Sequence, residues 1–169
     1  GLLGEADVLG RFGGGTFAIL LPCTSPEPEP CDTYVPQFAE RVRQALREPF
    51  WLGSPVPIAI TVSIGWTELH PGTGHADTTI KEAELAMYAA KAAGRDRVTR
   101  FDPAMVQKLE RQEALANDLL RAVGGDIDGL DLHYHLQIDR EGRAVGAEAL
   151  LRFTQPDGTQ VGPDTFIPL

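Results

Sequence analysis

The chain predicts an α/β (α+β) fold, a mixed sheet flanked by helices and joined by a long helix to further strands, and three observations carry that reading. Residues 11–21, RFGGGTFAILL, place a glycine turn between two apolar strands. Over 35–101, apolar residues at helical spacing alternate with β-branched runs. A glycine-free run at 102–123 then separates these elements from LDLHYHLQI at 130–138, which alternates apolar and polar residues.

Taken in order, Val8, Leu9 and Phe12 lead into the first turn, and 17–21 leave it as a buried strand. The glycines of this hairpin let the backbone approach a ligand closely. Val35, Phe38, Ala39, Val42, Ala45 and Leu46 form one helix face, which predicts a helix over 35–47. Runs 49–52 and 56–67 flank Gly53-Ser54-Pro55 and predict a hairpin whose second strand, VPIAITVSIGW, is central and buried. Thr79 with Glu82 makes a capping box for a second helix that stops at Gly94, and 97–101 returns as a short strand. Met105, Leu109, Leu115, Leu119 and Leu120 line a linking helix ended by Gly124 and Gly125. A strand at 130–138, a turn at 139–142, a strand at 144–153 and a polar loop follow. The resulting divisions are 1–101, a linking helix at 102–124, and 125–169.

A formal charge of −9 over 169 residues, with a pI near 4.8, argues against nucleic acid as a partner, because nucleic-acid binders usually present a basic face. The longest apolar runs fall far short of the roughly 20 residues of a membrane helix, and two cysteines read as reduced point to a cytoplasmic location. The chain begins at Gly1 without a methionine and stops on an apolar run, and it reads as a segment of a longer protein. That leaves a cytoplasmic portion of a membrane-anchored protein, and an upstream sensor or membrane domain, both open. Cys23 and Cys31 bracket TSPEPEP and are read as reduced; His70, His75, His133 and His135 lie too far along the chain to suggest a metal site with them.

The turn GGGTF at 13–17, with Ser63-Ile64-Gly65 and MYAAKAAGRDRV at 87–98, resembles the GGDEF family of diguanylate cyclases. In that family, carboxylates that include the acid at the third signature position hold a divalent metal, which helps the 3′-hydroxyl of one GTP attack the α-phosphate of another. Gly15 and Thr16 occupy the third and fourth positions and offer no carboxylate, so the resemblance implies a domain inactive as a cyclase. Gly13, Gly14, Lys91 and Arg95 match the nucleotide-binding, phosphate-facing positions, which implies binding of GTP. Lys91 and Arg95, one helical turn apart at a helix end, equally fit a solvated face that complements the helix dipole. The family's product-site RxxD pattern appears as Gly4-Glu5-Ala6-Asp7, without its arginine. A homodimer is left open.

GAEALLR at 146–152, followed by Pro156-Asp157-Gly158 and PDTFIPL at 163–169, resembles the start of an EAL domain, the cyclic-di-GMP phosphodiesterase barrel. The resemblance implies the first strands of an incomplete (β/α) barrel, with Glu148 as a ligand of Mg2+ or Mn2+. It assigns Leu150 and Arg152 to cyclic di-GMP. The residues alone also fit a solvated strand-end acid at Glu148 and a surface ion pair at Arg152. The family's Tyr-Gln-Pro on the first strand is Tyr134-His135-Leu136 here, and its His-Pro is Gln155-Pro156. The family's other metal ligands and its catalytic lysine are expected beyond Leu169. The expected whole is a bacterial cyclic-di-GMP signalling protein that hydrolyses cyclic di-GMP to linear pGpG. The alternative is a non-catalytic receptor of cyclic di-GMP or GTP, or a scaffold, with both domains degenerate.

Overall fold

The computed structural model of the chain describes residues 1–22, 31–53, 55–69 and 75–168. Two units, Gly1–Met105 and Val106–Leu169, make up the chain. Cys23, the loop at 24–30, Ser54, His70 and Leu169 lie outside the described residues, while Cys31 is a free, half-buried thiol.

In the first unit, β1 (Val8–Gly13) pairs antiparallel with β2 (Thr16–Leu20), in register from Val8 opposite Leu20 to Gly13 opposite Thr16. The register shifts between Arg11 and Gly13, which leaves Phe12 as a bulge. The expectation of a buried strand at 17–21 is corrected: Val8, Leu9, Phe12, Phe17 and Leu20 are all exposed. The strands form a two-stranded sheet of their own, and such a ribbon covers neither of its faces.

Helix α1 (Cys31–Arg47) starts four residues before the predicted helix and contains Pro36. A proline there removes one i→i−4 donor in the second turn, which masks the true start in the sequence. Phe38 and Ala39 are its buried residues. The predicted hairpin over 49–67 is reduced to one antiparallel bridge between Phe50 and Ile58, followed by the short strand β3 (Ile64–Trp66). Val56, Ile58 and Ile60 are exposed, not central. Pro55 and Pro57 remove ladder donors from this run, and prolines are confined to sheet edges for that reason.

β3 pairs in parallel with β4 (Val98–Arg100), Ile64 opposite Val98, and α2 (Ala76–Ala92) packs on the pair with Ala86 and Ala90 fully buried. Gly65 is required by this packing: a Cβ on it would collide with the Ala83 carbonyl oxygen and the Met87 amide nitrogen. The capping-box reading is also corrected. α2 begins three residues before Thr79, with extended His75 at its N-cap and no side-chain cap, and Glu82 instead accepts a hydrogen bond from the Thr67 hydroxyl at 2.9 Å. Arg100 ties the unit's elements together through Asp32 at 2.7 Å, Glu68 at 2.9 Å and the face of Trp66.

In the second unit, α3 (Ala104–Gly124, its first two residues belonging to the first unit) precedes a sheet of order β5-β6-β7. β5 (Leu130–Ile138) pairs antiparallel with β6 (Ala144–Thr154), as the alternation predicts. The stretch read as a polar loop holds two further elements, β7 (Gln160–Val161) and α4 (Pro163–Phe166). They bring Val161 and Phe166 onto a small core with Leu115, Leu119, Leu130 and Phe153, in which the Phe153 and Phe166 rings meet edge-on at 5.9 Å. Among the described residues the strands form open sheets and close no barrel. No helix among the described residues is long and apolar enough to cross a membrane.

Candidate functional site

Three groups of residues carry the candidate chemistry. The first is the turn of the β1–β2 ribbon. Gly13 (φ +123°) and Gly14 (φ +52°) lie in the left-handed half of conformational space, open on all sides, where a side chain would be strained. Arg11 bridges the turn by donating from Nη2 to the Gly14 carbonyl at 3.1 Å. Gly15 completes the two-residue loop, and half-buried Thr16 opens β2. Asp7 accepts a hydrogen bond from the Gly4 amide at 2.8 Å and so closes a local turn.

The second group stands at the C-terminal end of α2. Lys91 Nζ lies 5.3 Å from the Tyr88 ring centroid, a cation–π contact on an exposed face. Arg95 follows the helix with φ +59°, donates its amide to the Ala90 carbonyl at 3.1 Å, and has a guanidinium with no partner among the described residues. Lys91 and Arg95 therefore share one helix end. No hydrogen bond or ion pair among the described residues joins them to the glycine turn.

A contact that sequence reasoning missed lies directly beside Arg95. Arg43 of α1 donates from Nη1 to Asp96 Oδ1 at 2.8 Å and to the Asp96 carbonyl at 3.3 Å, and holds Glu40 with Nε and Nη2 at 2.9 and 2.6 Å. The hydrogen bond from Arg43, with a second from Gln44, pushes the Glu40 carboxyl down to about 2. The same carboxylates push the Arg43 guanidinium up. A 53-residue separation leaves no local signal for this pairing.

The third group lies on the β5–β6 ribbon. The register sets His135 opposite Glu148, His133 opposite Leu150, and Asp131 opposite Arg152. Directly opposed residues share a face, with Cβ atoms roughly 4.5–5.5 Å apart. Glu148, Leu150 and Arg152 are thus gathered on one polar face with both histidines. Glu148 is exposed and has no ion pair or hydrogen bond among the described residues. Among the described residues, Arg152 donates only to the neighbouring Leu151 carbonyl, at 3.3 Å, and makes no ion pair. A free carboxylate beside an imidazole fits part of the donor set of a divalent cation. No group of three or more His, Cys, Asp or Glu among the described residues is gathered for one.

A family model described as diguanylate cyclase, GGDEF domain, matches residues 2–97. The chain belongs to the GGDEF family. Its relatives include an uncharacterized protein of Mycobacterium tuberculosis, 34% identical over 99% of this chain and 26% of its own length. The bifunctional diguanylate cyclase/cyclic di-GMP phosphodiesterase MucR of Pseudomonas aeruginosa is 32% identical over 96% of this chain and 23% of its own. The cyclic di-GMP phosphodiesterase PdeR of Escherichia coli is 32% identical over 95% and 23%. This GGDEF-family chain thus spans about a quarter of the length of these relatives.

Proposed function

We propose that the chain is a segment of a bacterial cyclic-di-GMP signalling protein. In this reading its GGDEF-family unit does not synthesise the dinucleotide but keeps the phosphate side of a GTP site, and the second unit begins an EAL phosphodiesterase. The observation that carries it is a contrast in available groups. The turn at Gly13–Thr16 has no acid with which to hold a metal or activate a hydroxyl. On β6, Glu148, Leu150 and Arg152 share one face, and neither the Glu148 carboxylate nor the Arg152 guanidinium has an ion-pair partner among the described residues.

The relatives support the division. Those named as phosphodiesterases or bifunctional proteins align over 95% or more of this chain. A relative named diguanylate cyclase, DgcP of Pseudomonas aeruginosa, aligns over 57%. A divalent cation, Mg2+ or Mn2+, would supply Lewis acidity for attack of water on a phosphodiester. Glu148 would be one of its ligands, and Arg152 would fork onto a phosphate oxygen of cyclic di-GMP. Partners beyond the nucleotides, such as a second copy or an upstream sensor domain, belong to the complete protein.

His135 opposite Glu148 favours a second reading, a receptor that binds cyclic di-GMP without cleaving it. The complete protein decides. Given GTP with Mg2+ or Mn2+ it should form no cyclic di-GMP, and measurable product overturns the first half of the proposal. Given cyclic di-GMP it should release linear pGpG. Loss of the outer partners of a metal ligand costs about 10–100-fold, so Glu148→Ala should cost more than about 100-fold. Tight binding of cyclic di-GMP without hydrolysis would replace the phosphodiesterase reading with the receptor.

A further inference from the structure

We infer that Arg43, acting through Asp96, is a positioning residue that sets Arg95 for contact with the phosphates of a nucleotide; this rests on the reading of Lys91 and Arg95 as phosphate-facing. Three consecutive residues after α2 have left-handed backbones: Gly94 at φ +109°, Arg95 at +59° and Asp96 at +47°. Ending a helix ordinarily requires one such residue, commonly glycine. Two further L residues in this region are disfavoured, and they persist only where the surroundings hold them.

The hold is visible on both sides of Arg95. Upstream, its own amide is bonded to the Ala90 carbonyl. Downstream, Arg43 grips both the side chain and the backbone carbonyl of Asp96, and Arg47 adds a contact to Asp96 Oδ2 at 3.6 Å. Arg43 is itself fixed by its fork onto Glu40. The side chains of Arg43 and Asp96 are only 15% and 25% exposed, which separates this pair from the loosely held ion pairs of an open surface. Arg95 is therefore held at its own amide, at its carbonyl by Arg97 Nε at 3.2 Å, and through the clamped Asp96 next to it, while its guanidinium has no partner among the described residues.

Position matters at this end of a helix. The terminal carbonyls carry partial negative charge and repel an anion, so phosphate can settle only where cations outweigh them. Lys91, exposed over Tyr88, supplies one such charge. The clamp fixes where the second stands relative to it. Family resemblance places asparagine at position 96; the aspartate here gives Arg43 a charged partner.

The test is calorimetry on the complete protein with GTP and with guanosine, across Arg43→Ala, Asp96→Gly, Arg95→Ala and the Arg43→Ala/Arg95→Ala pair, with thermal unfolding of each. The wild type should bind GTP more tightly than guanosine. Arg43→Ala and Asp96→Gly should each weaken GTP about tenfold and leave guanosine unchanged, and Arg43→Ala should add nothing once Arg95 is alanine. Glycine tolerates the left-handed backbone, so full affinity in Asp96→Gly overturns the clamp. A loss of GTP and guanosine alike in Arg43→Ala, or additive losses in the double variant, assigns Arg43 to stability and also overturns it. If the wild type binds GTP no better than guanosine, the phosphate-site reading fails first. If Arg95→Ala loses affinity while Arg43→Ala does not, only the clamp fails.

Discussion

The β1–β2 and β5–β6 ribbons are both antiparallel, both carry a register shift near the turn, and both expose many apolar side chains, yet among the described residues only the second has an end built into a core. Phe17 of the first is 59% exposed, whereas Phe153 of the second is 1% exposed beneath Phe166. The two therefore offer ligands different things. The first presents backbone, through an exposed turn at Gly13 and Gly14 with nothing within 4 Å of where a side chain would start. The second presents side chains, because its register lines up Glu148, Leu150 and Arg152 on a face whose far end is anchored. A ribbon without a core can still form a turn, but holding several side chains in a fixed relation requires packing behind them.

The sharpest way to break this contrast is to remove one aromatic ring from each ribbon. Phe153→Ala should cost the second unit about 3–5 kcal/mol, through lost burial and the cavity beside Leu115 and Phe166. Phe17→Ala should change stability by no more than about 0.5 kcal/mol, since its ring is mostly in water already. Hydrogen exchange resolved by residue would read both effects in one protein. Equal losses would mean that the first ribbon is packed in solution and that the contrast is false.

A smaller effect separates turn from strand within the first ribbon. Gly14→Val forces a β-branched residue to φ +52° and should cost roughly 1–2 kcal/mol, more than the loss of the whole Phe17 ring. Gly14→Asn should cost much less, because asparagine visits that region readily. Faster exchange at the Thr16 and Phe17 amides in the valine variant alone is the expected outcome. Indifference to valine would show that the turn has another geometry in solution.

What the sequence made legible follows the same division between local and distant order. Alternation in LDLHYHLQI, with Asp139 and Gly142 after it, marked the hairpin, but the facing of His135 and Glu148 depends on the register shift between Gln137 and Ile138, for which the sequence carried no signal. The helix ends at Gly94 and Gly124 were marked by glycine, and the GGGTF turn by three of them. Burial was not legible. Leu20 and Ile58 carry the side chains of buried strands and lie open, because burial depends on which elements pack against a strand. Proline misled in both directions: Pro36 is inside a helix, and Pro57 interrupts a run read as a central strand. The Arg43–Asp96 contact joins residues whose proximity only the packing of α1 beside the end of β4's connecting turn creates, and no periodicity encodes it.

The smallest expected effect concerns the turn of the second ribbon. Asp139 Oδ1 accepts hydrogen bonds from the Glu141 and Arg143 amides at 3.0 and 2.8 Å, and Oδ2 accepts from Arg143 Nε at 2.8 Å. The Arg143 amide is the main cause, with the guanidinium after it, of a carboxyl held below the ordinary value of 3.8. A carboxyl depressed on folding stabilises the folded turn above its unfolded value, and that contribution is lost as pH falls through the folded value. Amide exchange at the Glu141 and Arg143 positions should therefore accelerate only below pH 3.8, and Asp139→Asn should remove that acid-dependent step. The first ribbon closes its turn with glycine and the Arg11 guanidinium, so its amides should show no matching step. An acid transition of equal size in both ribbons would mean that the carboxylate is not what orders the second turn. The advantage of the second ribbon would then rest on its aromatic core alone.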